Sequence, residues 1–161
     1  MIVVSDNSAL SALAEIGRLD LLRQLFGRVT IPAAVLAECL AEGAPEVLRN
    51  WAAALPNWID LASDPESLLT ETDCLGAGEA SAISLAWNHR GEALLVLDEK
   101  RGRRIAEALG LPKTGVLGML GQAAARGWLD FDGEVDALRA TGFHLSNELV
   151  EAVRHRLGGI N

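Results

Sequence analysis

Short apolar runs alternate along this chain with longer stretches of helical periodicity. "IVVS" at residues 2–5 reads as a buried strand. "SALSALAEIG" and "RLDLLRQLFG" follow, with apolar positions at helical spacing. Each ends on a glycine, Gly17 and Gly27, the residue that best closes a helix. β-Branched "RVTI" predicts a second strand over 28–31, and Pro32 opens a helix through "AAVLAECLAEG" that ends near Gly43. Residues 45–56 predict another helix between prolines, "WIDLA" a short strand, and 63–77 a loop with one helical turn at "DPESLL". From Gly78, "EASAISLAWNHRG" is a helix stopped by Gly91. "ALLVLD" is then a continuous apolar strand of the kind buried in parallel sheets. "KRGRRIAEALG" predicts a helix closed by Gly110, "LPKTG" a short extended piece and "VLGMLGQAAARG" an apolar helix. Residues 131–140 and 146–157 predict two final helices. Strands alternating with helices point to an α/β sandwich with a mainly parallel sheet, whose ligand site lies beyond the carboxyl ends of the strands.

A length of 161 residues, half of them hydrophobic, suits one domain with a sizeable core. The apolar runs are too short to cross a bilayer, and Met1 leads straight into a strand with no basic leader, so a soluble cytoplasmic protein is expected. Cys39 and Cys74 lie among alanines and leucines without CxxC spacing, which predicts two buried, reduced thiols. His89, His144 and His155 share no metal-ligand spacing and read as surface or loop residues. Trp51, Trp58, Trp87 and Trp128 are dispersed and read as core or interface residues. A net charge of −8 argues against broad, non-specific nucleic-acid binding. It leaves open an enzyme whose clustered acids are neutralised by metal ions.

Four acids stand out against the apolar pattern. Asp6 ends the first strand and Asp98 the strand "LLVL". Glu38 lies mid-way along an apolar helix, and Glu79 sits in the first turn of the helix opening "LGAGEASAISLA". Each has a local explanation. Asp6 and Asp98 could cap the helices that follow them, Glu79 could complement a helix dipole, and Glu38 could lie on a solvated face. Taken together, four oxygen donors without a histidine or cysteine partner form the ligand set of a hard cation such as Mg2+ or Mn2+. Such a site suits phosphodiester hydrolysis.

"VVSDNSALSALAEIGRLDLL", "VTIPAAVLAECL", "GAGEASAISLA" and "LLVLDEKRGRRIAEALGL" followed by "TGVLGML" resemble, in sequence and order, a PIN-domain protein. The chain is most similar to the PIN-like group of unknown function related to VapC toxins. The resemblance spans residues 2–127, and the last helices look like that group's C-terminal extension. The implied organisation is a PIN-like domain over 1–127 and a helical extension over 128–161 packed on it. The implied fold is a three-layer α/β/α sandwich with a mainly parallel central sheet, plus C-terminal helices. The implied activity is a Mg2+- or Mn2+-dependent endoribonuclease, the toxin of a type II, VapBC-like toxin–antitoxin pair. RNA is then the substrate and a small antitoxin protein the partner. A homodimer is expected because "TGVLGMLGQAAARG" and the C-terminal helices carry more apolar surface than a small monomer easily covers, and the resemblance implies the same.

Residue by residue, the family's acidic quartet falls on Asp6, Glu38, Glu79 and Asp98, as catalytic and metal-holding groups. Ser8 matches the small polar residue that holds the first aspartate or a metal-bound water; its other reading is the N-cap of the first helix. Two residues before the last acid, where Thr or Ser is usual, stands Val96, and Glu99 takes the place of a further aspartate. Lys100, Arg101, Arg103 and Arg104 follow at once in "EKRGRR". They read either as a grip on RNA phosphates or as a solvated helix face and internal partners for Glu38 or Glu79. Two other functions compete. One is a catalytically weak PIN-like module that binds RNA or protein. The other is a small-molecule phosphohydrolase, disfavoured by the lack of P-loop and GxSxG motifs and of a DxD nucleophile motif at a strand end, the one DxD, "DFD" at 130–132, opening a predicted helix.

Overall fold

A computed structural model describes residues 1–158. Five strands make one parallel sheet, in the order β3-β2-β1-β4-β5: β1 (Ile2–Ser5), β2 (Val29–Pro32), β3 (Ile59–Ala62), β4 (Ala93–Val96) and β5 (Lys113–Thr114). β1 is central. Its Val4 pairs with Thr30 of β2, and Ile2 to Ser5 run in register with Ala93 to Val96 of β4. Val3, Val4 and Ser5 are buried, as is all of β2. That accounts for unbroken apolar runs where an alternating pattern would mark a half-exposed strand.

The helices are α1 (Asn7–Glu15), α2 (Asp20–Phe26), α3 (Ala33–Cys39), α4 (Glu46–Ala53), α5 (Ala77–Asn88), α6 (Lys100–Ala108), α7 (Val116–Ala125), α8 (Phe131–Ala140) and α9 (Asn147–Gly158). α5 lies along β1, β2 and β4 with α3 and α6 beside it. Gly78 and every residue from Ala80 to Ala86 are buried in it, so this helix has no solvated face to give it an amphipathic pattern. α7 packs on α1 and α2, and α8 and α9 pack on α7 in turn. The sheet is thus sandwiched between helical layers. Arg18, in the α1–α2 turn, donates to Glu134 of α8 from Nε at 3.0 Å, which ties the final helices to the start of the chain.

The elements follow the sequence pattern with local shifts. Pro32 ends β2 and precedes α3 instead of opening it, and α3 stops at Cys39, before the predicted Gly43. The helical turn expected at "DPESLL" falls later, as a 3-10 turn over Thr70–Thr72. Asp64 instead accepts from the Ala34 amide at the start of α3 and from the Ser81 hydroxyl. Cys39 is buried as expected, but Cys74 is exposed, because its alanine- and leucine-rich neighbourhood is surface loop. Trp128 is exposed too, with the Arg126 guanidinium 5.0 Å from its ring centre. No helix among the described residues is long and apolar enough to cross a membrane.

Candidate functional site

The chain runs from β1 outward to β2 and β3, then returns to β4 on the other side of β1. Strand order therefore reverses between β1 and β4, and the crevice beyond their carboxyl ends is where open parallel sheets hold ligands. Asp6 is the first residue after β1, and Asp98 the second after β4. Glu38 reaches the same edge from α3 and Glu79 from the first turn of α5. Asp6, Ser8, Glu38, Glu79 and Glu99 line one cavity of about 220 Å3 there. Asp98 lines the adjoining cavity of about 360 Å3, together with Ser8 and Glu99.

Each acid is held by an amide or hydroxyl, with one exception. Asp6 caps α1, accepting from the Ala9 amide at 3.2 Å, and also accepts from the Ser8 hydroxyl at 2.7 Å. Glu38 accepts from the Gly78 amide at the start of α5, at 2.8 Å. Asp98 accepts from the Val116 amide at the start of α7, at 3.0 Å, and lies 4.0 Å from Arg103. Three helix N-termini therefore face three carboxylates, and their positive ends offset part of the like-charge repulsion. Glu79 is the exception. Its Oε2 is buried and, among the described residues, has no hydrogen-bond partner.

Cap and crevice wall are thus one residue in Asp6, and the local explanation does not compete with the functional one. Ser8 is not a cap. It lies inside α1, and its hydroxyl donates to Asp6 while accepting from the Asp98 amide at 3.0 Å. One oxygen links the ends of β1 and β4.

The electrostatics follow from crowding and burial. Asp6, only 2 % exposed, has its carboxyl pushed up to about 7, first by burial and then by Asp98 and Glu79. Ser8 and the Ala9 amide pull it the other way. Glu79 is also raised to about 7, by burial and then by Glu99 and Glu38, with Arg101 opposing. Burial raises Asp98 as well, against the pull of the Val116 amide and Arg103. The Cys39 thiol, buried beside Glu38 and Asp6, is pushed up to about 12 and is no nucleophile. Of the basic cluster, Arg103 is half-buried beside Asp98, whereas Lys100, Arg101 and Arg104 are exposed, Arg101 still acting on Glu79 through its charge.

Three glycines make room for these acids: Gly78 belongs to the "GAG" opening of α5, whose glycines permit close backbone approach, whereas Gly102 and Gly115 went unread in the sequence. A Cβ on Gly78 would lie 2.5 Å from Glu38 Oε2, and one on Gly102 would lie 2.8 Å from Glu79 Cδ. A Cβ on Gly115 would lie 3.1 Å from Asp98 Cγ. Each is the space in which an acid sits. Gly102 carried a signal: glycine inside a helix costs about 1 kcal/mol against alanine, and "KRGRR" offers no local reason for it.

A hard divalent cation fits this donor set, which is all oxygen, mutually repelling and left with one orphaned buried carboxylate oxygen. As the side chains stand, no three His, Cys, Asp or Glu groups among the described residues are close enough to hold one ion. The oxygens of Asp6, Glu38 and Asp98 are turned to the helix amides. An all-parallel sheet between helical layers, with acids at its switch point, is consistent with a PIN-like α/β/α fold. A family model described as a PIN domain matches residues 2–159, and the chain belongs to the PIN-domain family. That domain is a nuclease fold and typically uses divalent metals. No curated protein matches the chain.

Proposed function

We propose that this protein is a divalent-metal-dependent endoribonuclease that hydrolyses RNA phosphodiester bonds, the toxin half of a type II, VapBC-like toxin–antitoxin pair. The observation that carries the nuclease reading is the shared cavity of Asp6, Glu38 and Glu79, beside Asp98, with an unpartnered buried oxygen on Glu79. Asp6, Glu38, Glu79 and Asp98 would hold Mg2+ or Mn2+. When bound, the ion supplies charge neutralisation at the phosphate and a lowered pKa for water. Ser8 fixes the Asp6 carboxyl and couples it to the backbone at Asp98. Glu99, on the rim, is placed to take or give a proton at the solvent side. Lys100, Arg101, Arg103 and Arg104 provide positive charge next to Asp98 for the phosphates that do not react.

The antitoxin and the homodimer rest on the family resemblance. Within one chain the apolar faces of α7 are already covered by α1, α2, α8 and α9, and Gly121 of α7 meets Val153 of α9. A weakly catalytic binding module is the second reading, favoured by Val96 and by the absence of three converging carboxylates among the described residues. The test is Asp6→Asn and Asp98→Asn, assayed for Mg2+- or Mn2+-dependent RNA cleavage. Activity should fall by orders of magnitude in both. Undiminished cleavage would remove the metal site, and RNA binding without cleavage by the wild type would establish the second reading.

A further inference from the structure

A basic channel leaves the acidic crevice beside Asp98. Lys100, Arg103, Arg104 and Lys113 line a cavity of about 660 Å3 that opens beside Asp98. Its far wall is the α8–α9 connection, with Phe143, His144 and Leu145. A smaller cavity of about 170 Å3 shares Arg103 and Lys113 and adds Arg156 of α9. Cationic lining therefore continues away from the acids. Two of these cations have acidic neighbours: Arg103 lies 4.0 Å from Asp98, and Lys113 lies 3.8 Å from Glu107, itself 77 % exposed. Arg156 makes no ion pair among the described residues. Phe143 also borders the 360 Å3 cavity that contains Ser8 and Asp98. The ring stands where the two large cavities meet, beside the last acid, half-buried and anchored against the core.

We propose that this channel is a track for a single strand of RNA. Arg103, Lys113 and Arg156 hold successive backbone phosphates, and Phe143 stacks the base of the nucleotide lying at Asp98. The assignment rests on the ribonuclease reading, which places the reacting phosphate at the acids. A polyanion is repelled by a crevice of carboxylates, so its path in is the side where the charge changes sign. Forked guanidinium groups match phosphate oxygens. An aromatic ring beside such a groove accepts any base that is not already stacked. In a duplex the bases are stacked on one another and out of reach, so the substrate class is the unpaired strand. The α8–α9 connection and α9 thereby become parts of the substrate site, a role the acidic quartet does not require.

Fluorescence anisotropy tests this with the full chain in EDTA, which stops metal-dependent turnover, and a short labelled RNA offered as single strand or duplex. The single strand should bind roughly 10-fold more tightly than the duplex. Lys113→Ala with Arg156→Ala should weaken it about tenfold and lower the salt slope by about 1.4, the counterions of two phosphate contacts. Phe143→Ala should weaken it roughly tenfold, whereas Phe143→Trp, which keeps a ring, should retain affinity. Equal binding of duplex, an unchanged salt slope, or equal loss in Phe143→Trp and Phe143→Ala would overturn the track, as would no detectable binding by the wild type. Cleavage by the wild type, measured alongside, separates the two proposals. Cleavage with binding insensitive to these variants removes the track alone, and variant-sensitive binding without cleavage removes the ribonuclease alone.

Discussion

Asp6 carries the largest electrostatic burden of any residue here, because it is buried, charged and faced by other acids. Its consequence for stability has a definite sign. Folding raises its carboxyl from 3.8 to about 7, so between these values the folded chain holds a proton that the unfolded chain has lost. Stability must therefore fall as pH rises through that window and level off above it, losing roughly 1.4 kcal/mol for each pH step of one across it. Thermal unfolding in EDTA across pH 4.5 to 8 should show this decline, and Glu79, raised in the same direction, should add to it. Asp6→Asn keeps the cap, because asparagine serves at that position about as well. The variant should show a shallower decline and be more stable than the wild type at neutral pH. An unaltered slope would mean that Asp6 is not the residue under strain.

At the scale of elements, the close approach of α6 to α5 depends on Gly102. Alanine there should favour the isolated helix by about 1 kcal/mol. Its Cβ would nevertheless meet the Glu79 carboxyl and Leu97 Cδ1, the latter at 2.7 Å. Gly102→Ala should therefore bring no gain in thermal stability and should reduce cleavage by roughly 10- to 100-fold through a displaced Glu79. Normal cleavage together with higher stability would show that the space is not needed. The elements themselves were largely legible. Helices closing on Gly17, Gly27, Gly91 and Gly110 have all four glycines at positive φ, the conformation that the stop signal implies. Asp6 and Asp98 were visible because apolar strands lead into them, and Glu38 because it interrupts an apolar helix. Their partners were not. Gly78 lies 40 residues from Glu38 and Val116 lies 18 from Asp98, and a bond across such a separation leaves no local pattern. Cys74 misled for the same reason: apolar neighbours along a loop say little about what covers it.

For the whole molecule, the two carboxyls that titrate near 7 link metal uptake to acidity. At the metal site proposed above a cation takes Asp6 and Glu79 ionised, so on that proposal its binding displaces the protons they still hold near neutrality. Calorimetric titration with Mn2+ in buffers of different ionisation enthalpy, at pH 6.5, should show release of about one proton or more for each ion bound. Affinity should weaken as pH drops below 7. Proton-independent binding would place the ion elsewhere.

The order of the strands also sets a timetable. β1 is made first but lies in the middle of the sheet, and its neighbour β4 begins only at Ala93. The amide that fixes Asp98 belongs to Val116, later still. While the chain is being synthesised, Asp6 and Glu38 are made well before, and Glu79 shortly before, the strand that completes the crevice. A crevice built in this order is complete only once the chain has been made past Val116, so its four acids spend the first part of the molecule's life apart.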